Sequence, residues 1–131
     1  MPSIVGVWTL VEARATDPEG RPVPSQFGPE PMGVATFDGR RMMAVLGDGR
    51  PELPEGEGPR AYNSYTGPYS FDGARLVTVV DGASSPDRMG TEQVRGVRFE
   101  AEGARMVLTP PPRVIRGVTH HPELVWRRVS G

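Results

Sequence analysis

Three short turn signals, Asp38-Gly39, Asp72-Gly73 and Glu102-Gly103, constrain the fold more than any other feature of this sequence. Each joins two strand-like runs with space for little more than a hairpin, because glycine supplies positive φ cheaply. The runs are 4–14, 32–38, 40–46, 62–71, 74–83, 91–101, 104–109 and 123–129. Longer Gly- and Pro-rich or polar connections, 15–31, 47–61, 84–90 and 110–121, separate the tightly joined pairs. Tight and long connections therefore alternate without exception. Run up and down as antiparallel neighbours, the strands put every tight turn at one end and every long loop at the other. A Greek-key sandwich has no reason to produce that alternation. An eight-stranded antiparallel up-and-down β-barrel, with a closed end and a loop-decorated mouth, does. No window sustains a helical period for three turns, and the prolines and glycines of 50–61 argue against a long helix there. The expectation is an all-β chain with a single barrel domain over 1–131.

The chain's absences exclude several function classes. There is no Cys, hence no disulfide, no thiolate nucleophile and no Cys-based metal site. There is no Lys, so all 15 basic residues are Arg, which excludes Schiff-base chemistry and a P-loop lysine. The two His are adjacent, at 120 and 121, and project to opposite sides of an extended chain, so no metal site is assigned. A net charge of −1 gives no broad electrostatic reason to bind nucleic acid or an anionic membrane. The first residues carry no basic and then apolar leader pattern, and no segment approaches 18 apolar residues, so a soluble cytoplasmic protein is expected. Ser84-Ser85 has no His at a readable spacing, which leaves a Ser triad without support.

Gly6-Val7-Trp8 matches the Gly-x-Trp that opens the first strand of lipocalins. In a closed meander the last strand pairs with the first, and its Leu124-Val125-Trp126-Arg127-Arg128 brings an Arg to where lipocalins cover that Trp. Between them occur, in order, Phe27-Gly28, Pro31-Met32-Gly33, Asp38-Gly39-Arg40, Tyr65-Thr66-Gly67-Pro68-Tyr69 and Gly90-Thr91-Glu92-Gln93-Val94-Arg95. Over nearly its whole length the chain resembles the bacterial lipocalin-like domain family of small cytoplasmic barrels. The resemblance implies a lipocalin-like barrel that binds small molecules. Related barrels in biosynthetic pathways act as cyclases or isomerases. The Gly/Pro/Glu-rich loop 47–61 and the doubled His depart from the family pattern, and both fall at the mouth.

Alternation of side chains along each run assigns the lumen. Trp8 and Leu10 share a face with Glu12, so if Trp8 plugs the closed end Glu12 points inward near the mouth. Tyr65, Tyr69 and Phe71 form one aromatic face. Gln93, Arg95, Val97 and Phe99 form another, more apolar toward the closed end. Leu124, Trp126 and Arg128 share a third, with Arg128 level with Trp8. The predicted cup has an apolar floor and wall of Leu10, Val97, Phe99, Leu124, Trp126 and Met42 or Met43. Its polar ring is Glu12, Tyr65, Tyr69, Gln93, Arg95 and His120. Trp8 and Arg128 form a structural cation–π plug. Glu12 and Arg95 either satisfy each other as an internal ion pair or serve a ligand, since a lone buried charge is too costly.

The residues support a binding module for an apolar or aromatic small molecule, with Glu12, Tyr65, Tyr69, Gln93, Arg95, Val97, Phe99 and Trp126 as ligand contacts. The alternative is a cofactor-independent cyclase or isomerase in the same pocket. There Glu12 is the base, and Tyr65, Tyr69 or Arg95 stabilises an oxyanion. A third reading is an interaction domain whose barrel is filled by its own side chains. The partner expected is a small molecule, with no cofactor, and the protein a monomer or homodimer.

Overall fold

The computed structural model describes residues 2–131, and its regular structure is strand apart from two short 3₁₀ turns. In chain order these are β1 (Gly6–Thr16), β2 (Pro22–Val23), β3 (Pro31–Phe37), β4 (Arg41–Asp48), β5 (Tyr62–Phe71), β6 (Arg75–Val79), β7 (Gly82–Ala83), β8 (Glu92–Glu100), β9 (Arg105–Thr109), β10 (Arg113–Ile115) and β11 (Val118–Ser130). Eight of them, β1, β3, β4, β5, β6, β8, β9 and β11, pair in sequence order, and pairing of β11 with β1 closes the ring. All pairings are antiparallel, so the up-and-down barrel is the fold. β2, β7 and β10 are short additions to β1, β5 and β11. Among the described residues, no helix is long and apolar enough to cross a membrane.

Both Asp-Gly connections are tight turns, but of the two glycines only Gly73 holds the positive φ expected, and Gly39 does not. Asp38 and Asp72 each accept two backbone N–H groups two and three residues on, from Arg40 and Arg41 and from Ala74 and Arg75. Those contacts fix the hairpins β3–β4 and β5–β6. The third tight connection differs from the two-residue turn expected at Glu102-Gly103. It is a 3₁₀ turn over Ala101–Gly103 in which Ala101 and Glu102 both hold positive φ, at 51° and 56°. At this end Pro2, Ser3 and Ile4 lie with Gly39, Tyr69, Phe71, Asp72 and Gly73, and Pro2 also approaches Gly103. The N-terminal segment thus closes the barrel bottom.

Trp8 is fully buried there, and its indole N–H donates to the Ile4 carbonyl at 3.0 Å. Phe99 packs on it at 6.2 Å between centroids, and Phe71 packs edge-on to Phe99 at 6.0 Å. Phe37 and Tyr69 form a second edge-to-face pair at 5.3 Å. The core continues upward through Leu10, Ala35, Met42, Ala44, Leu46, Leu76, Val97, Met106, Leu108 and Trp126. Of the two adjacent methionines, Met42 is the one inside, and Met43 is 52% exposed.

Two departures from simple alternation bear on the site. In β1, Leu10 pairs with Trp126 but Glu12 pairs with Val125, so two residues of β1 oppose one step of β11. This bulge at Val11 resets the parity of the strand. Val11 and Glu12 both face outward, and Ala13 and Ala15 take the inward positions. The second departure is at the last connection. β11 begins at Val118 rather than at residue 123, and it pairs with β10 across Arg116-Gly117, both with positive φ. The stretch expected as a plain loop is a hairpin that continues the wall at the mouth.

Candidate functional site

The mouth encloses a cavity of about 390 Å3. It lies where three of the four long connections meet. The first contributes Pro24 to Phe27, the third Arg88, and the last Pro110 to Arg113 with Ile115 and His120. The upper barrel wall adds Leu46, Asn63, Tyr65, Arg95 and Leu124. The remaining long loop, 47–61, stands beside it and is locked in place. Arg50 forms a bidentate pair with Asp48, its Nη2 2.6 Å from Oδ2, and Arg60 donates to the carbonyls of Asp48 and Arg50. Asp48 is 4% exposed, and the Arg50 guanidinium holds its carboxyl down at about 2.

Asn63 and Tyr65 reach the cavity because they occupy alternate positions in the mouth half of β5. The next inward position is Gly67, and a Cβ there would fall 1.9 Å from the Val79 carbonyl oxygen. Tyr65 is 8% exposed, and burial pushes its hydroxyl above the ordinary value. The Arg95 charge, the Gln93 side chain and the Arg88 charge pull it back. Arg95 comes from the inward face of β8. Desolvation pushes its guanidinium below the ordinary value, while Tyr65 opposes that and Arg88 adds to it. Its only hydrogen bond among the described residues is from Nη1 to the carbonyl of its neighbour Val94, at 2.9 Å. Gln93 is buried one step closer to the mouth and accepts from Arg88 Nη1 at 2.8 Å. A side chain inside the barrel thus holds a loop arginine against the cavity.

Several expected contacts lie elsewhere. Glu12 is on the outer face, paired with Arg14 at 3.3 Å, so it is neither in the lumen nor a partner for Arg95. The bulge at Val11 is the physical reason. Arg14 also binds Glu123 at 2.9 Å, and Glu123 binds Arg98, giving an ion-pair chain across the outer face. Tyr69 sits at the closed end, where its hydroxyl donates to the Asp38 carbonyl. The seven residues from Tyr65 to Phe71 span the depth of the barrel, so Tyr65 and Tyr69 cannot share one rim. Val97, Phe99 and Trp126 face inward but pack in the core rather than line the cavity. The indole N–H of Trp126 is buried with no acceptor among the described residues. His120 lines the mouth and His121 faces away, as adjacent positions of an extended strand must. The Trp8–Arg128 plug is present, with the guanidinium carbon 4.2 Å from the ring centroid.

Arg88, Arg113, Phe27 and Asn63 also line the site and were not singled out by reading alternation within strands. Three of them lie outside the eight core runs, where no two-residue period exists to orient them. The signal for the β10 hairpin was present in Val114-Ile115-Arg116-Gly117-Val118, a Gly turn between β-branched residues.

The lining is half apolar, with Phe27, Leu46, Ile115, Leu124 and prolines. Its polar groups are mainly donors, from Tyr65 and the arginines. No Asp or Glu lines the cavity among the described residues. Such a surface favours a ligand with an apolar body and a hydrogen-bond acceptor. The sequence profile of the lipocalin-like domain family matches residues 5–129. No curated protein and no solved structure matches the chain.

Proposed function

This chain belongs to the lipocalin-like domain family, and from that premise we propose that it binds a small, mainly apolar or aromatic molecule in the mouth half of the lumen. The observation that carries the reading is the cavity itself. A chain of 131 residues has a full core below the level of Tyr65, yet leaves about 390 Å3 open above it, within the range of small-molecule sites. Side chains alone can fill an eight-stranded barrel.

Tyr65 and Arg95 supply the polar anchor, converging from β5 and β8 on one wall. The cyclase or isomerase alternative depended on Glu12 as base, and Glu12 stands outside the barrel. Binding without turnover is therefore the reading the geometry favours. Native mass spectrometry of protein purified from its own host tests it. The expected spectrum carries a discrete added mass that disappears on denaturation. The bare mass alone, together with failure to take up any apolar compound from a panel, would refute binding in the lumen.

A further inference from the structure

The charge distribution around the cavity is one-sided. The chain has 16 acidic and 15 basic residues, so an unselected lining should contain both signs. The cavity is lined instead by Arg14, Arg88, Arg95 and Arg113, with His120, and by no carboxylate among the described residues. Arg14 is neutralised by Glu12 and Glu123. Arg88, Arg95 and Arg113 form no ion pair among the described residues. Among the described residues five arginines are ion-paired, Arg14, Arg21, Arg41, Arg50 and Arg98, whereas Arg60 and Arg116, also near the loops, are not. Arg50 has Asp48 and Glu57, Arg21 has Asp17 and Glu19, and Arg98 has Glu100 and Glu123.

Hydrogen-bond accounting points the same way. A guanidinium carries five N–H donors. Arg95 uses one of its own, on Val94, and Arg88 uses one, on Gln93. Neither has a fully buried orphan nitrogen, so the unused donors are reachable from solvent, and both residues line the cavity. Arg95 is largely withdrawn from water in the barrel wall. A cation held there without a counter-charge is costly unless something brings one.

We propose that the site selects anions, and that its ligand is an amphipathic carboxylate whose head sits between Arg95 and Arg88 with its apolar body along Phe27, Leu46 and Leu124. This rests on the lumen-binding reading above and names the ligand class for it. A carboxylate is favoured over a phosphate by the desolvation that entry demands. A dianion must shed more water to enter a half-apolar pocket. Planar carboxylates also match the paired N–H geometry of a guanidinium.

Isothermal titration with decanoate, decan-1-ol and decyl phosphate tests this. Decanoate should bind at least about 10-fold more tightly than decan-1-ol, and more tightly than decyl phosphate. In Arg95→Met the carboxylate-to-alcohol ratio should collapse toward one, with alcohol affinity kept, and Arg95→Lys should restore part of it. Arg88→Met, on the mouth loop, should lower the ratio too, and it reads out the proposal if Arg95→Met folds poorly. Equal binding of decanoate and decan-1-ol to the wild type would overturn anion selectivity and leave lumen binding standing. Tighter binding of decyl phosphate would overturn the carboxylate assignment. Failure of all three to bind, with only the bare mass in native spectra, would overturn both readings.

Discussion

The guanidinium of Arg128 covers the Trp8 ring at 4.2 Å and donates to the carbonyls of Gly103, Val5 and Ser3. One side chain of the last strand thus ties together the first strand, the N-terminal segment and the β8–β9 turn. Register makes this possible. Trp8 pairs directly with Arg128, while Val7 pairs with Ser130, so a bulge at Val129 places the arginine level with the ring. Trp8→Ala should cost about 3–5 kcal/mol, from lost burial and the cavity left behind. Arg128→Met keeps the stem but loses the cation–π contact and three hydrogen bonds, and should cost about 2–4 kcal/mol. Urea denaturation of both variants measures this. Wild-type midpoints would show that the plug does not close the barrel.

Glu12→Gln should do almost nothing. Its carboxylate lies on the outer face in an exposed pair with Arg14, and such pairs contribute little. Stability should stay within about 0.5 kcal/mol of wild type, and uptake of decanoate should be unchanged. A large loss of uptake would place Glu12 back inside the lumen and contradict the bulge.

The barrel, its strand order and the division into a tight end and a looped end were legible in the sequence, because turn chemistry is local. Asp38-Gly39 and Asp72-Gly73 announce their hairpins whatever surrounds them. The pairing of Trp8 with Arg128 was legible for a related reason: closure of a meander leaves the last strand no other neighbour. The side chains of the mouth were legible only in part. Tyr65 and Arg95 follow from unbroken alternation in β5 and β8. Glu12 did not, because one extra residue at Val11 inverts every later position of β1, and neither Val11 nor its neighbours mark it. Tyr69 failed on depth rather than on face. Arg88 was hidden because its position is set by a partner, Gln93, and not by its own strand.

Asp48 should make the 47–61 loop acid-sensitive. Arg50 holds its folded-state carboxyl at about 2, against an ordinary value of 3.8. The folded state thus favours the carboxylate, and its stabilisation is fully present above pH 4. It is lost as pH falls from about 4 toward 2. Asp48→Asn should lower the melting temperature at pH 7 and flatten its fall between pH 4 and pH 2. Parallel melting curves for wild type and variant over that window would show Asp48 to be unpaired.

Two glycines should respond oppositely to alanine. At Gly67 a Cβ would meet the Val79 carbonyl oxygen at 1.9 Å, and the backbone of a neighbouring strand end cannot yield cheaply. At Gly39 nothing lies within 4 Å. Gly67→Ala should cost about 1–3 kcal/mol or more, and Gly39→Ala less than about 0.5 kcal/mol. Equal denaturation midpoints for the two variants would mean that β5 and β6 do not approach as closely as described.

The central claim is that a ligand sits in the mouth half of the lumen, on Tyr65 and Arg95, above a packed core. Nuclear magnetic resonance with labelled protein and stepwise addition of decanoate tests it most directly. The account predicts shifts at the Arg95 Nε resonance and at the amides of Asn63, Tyr65, Arg88 and Leu124, with Trp8, Phe37 and Tyr69 unmoved. Shifts confined to the outer face or to the closed end, or none at saturating decanoate, would contradict it.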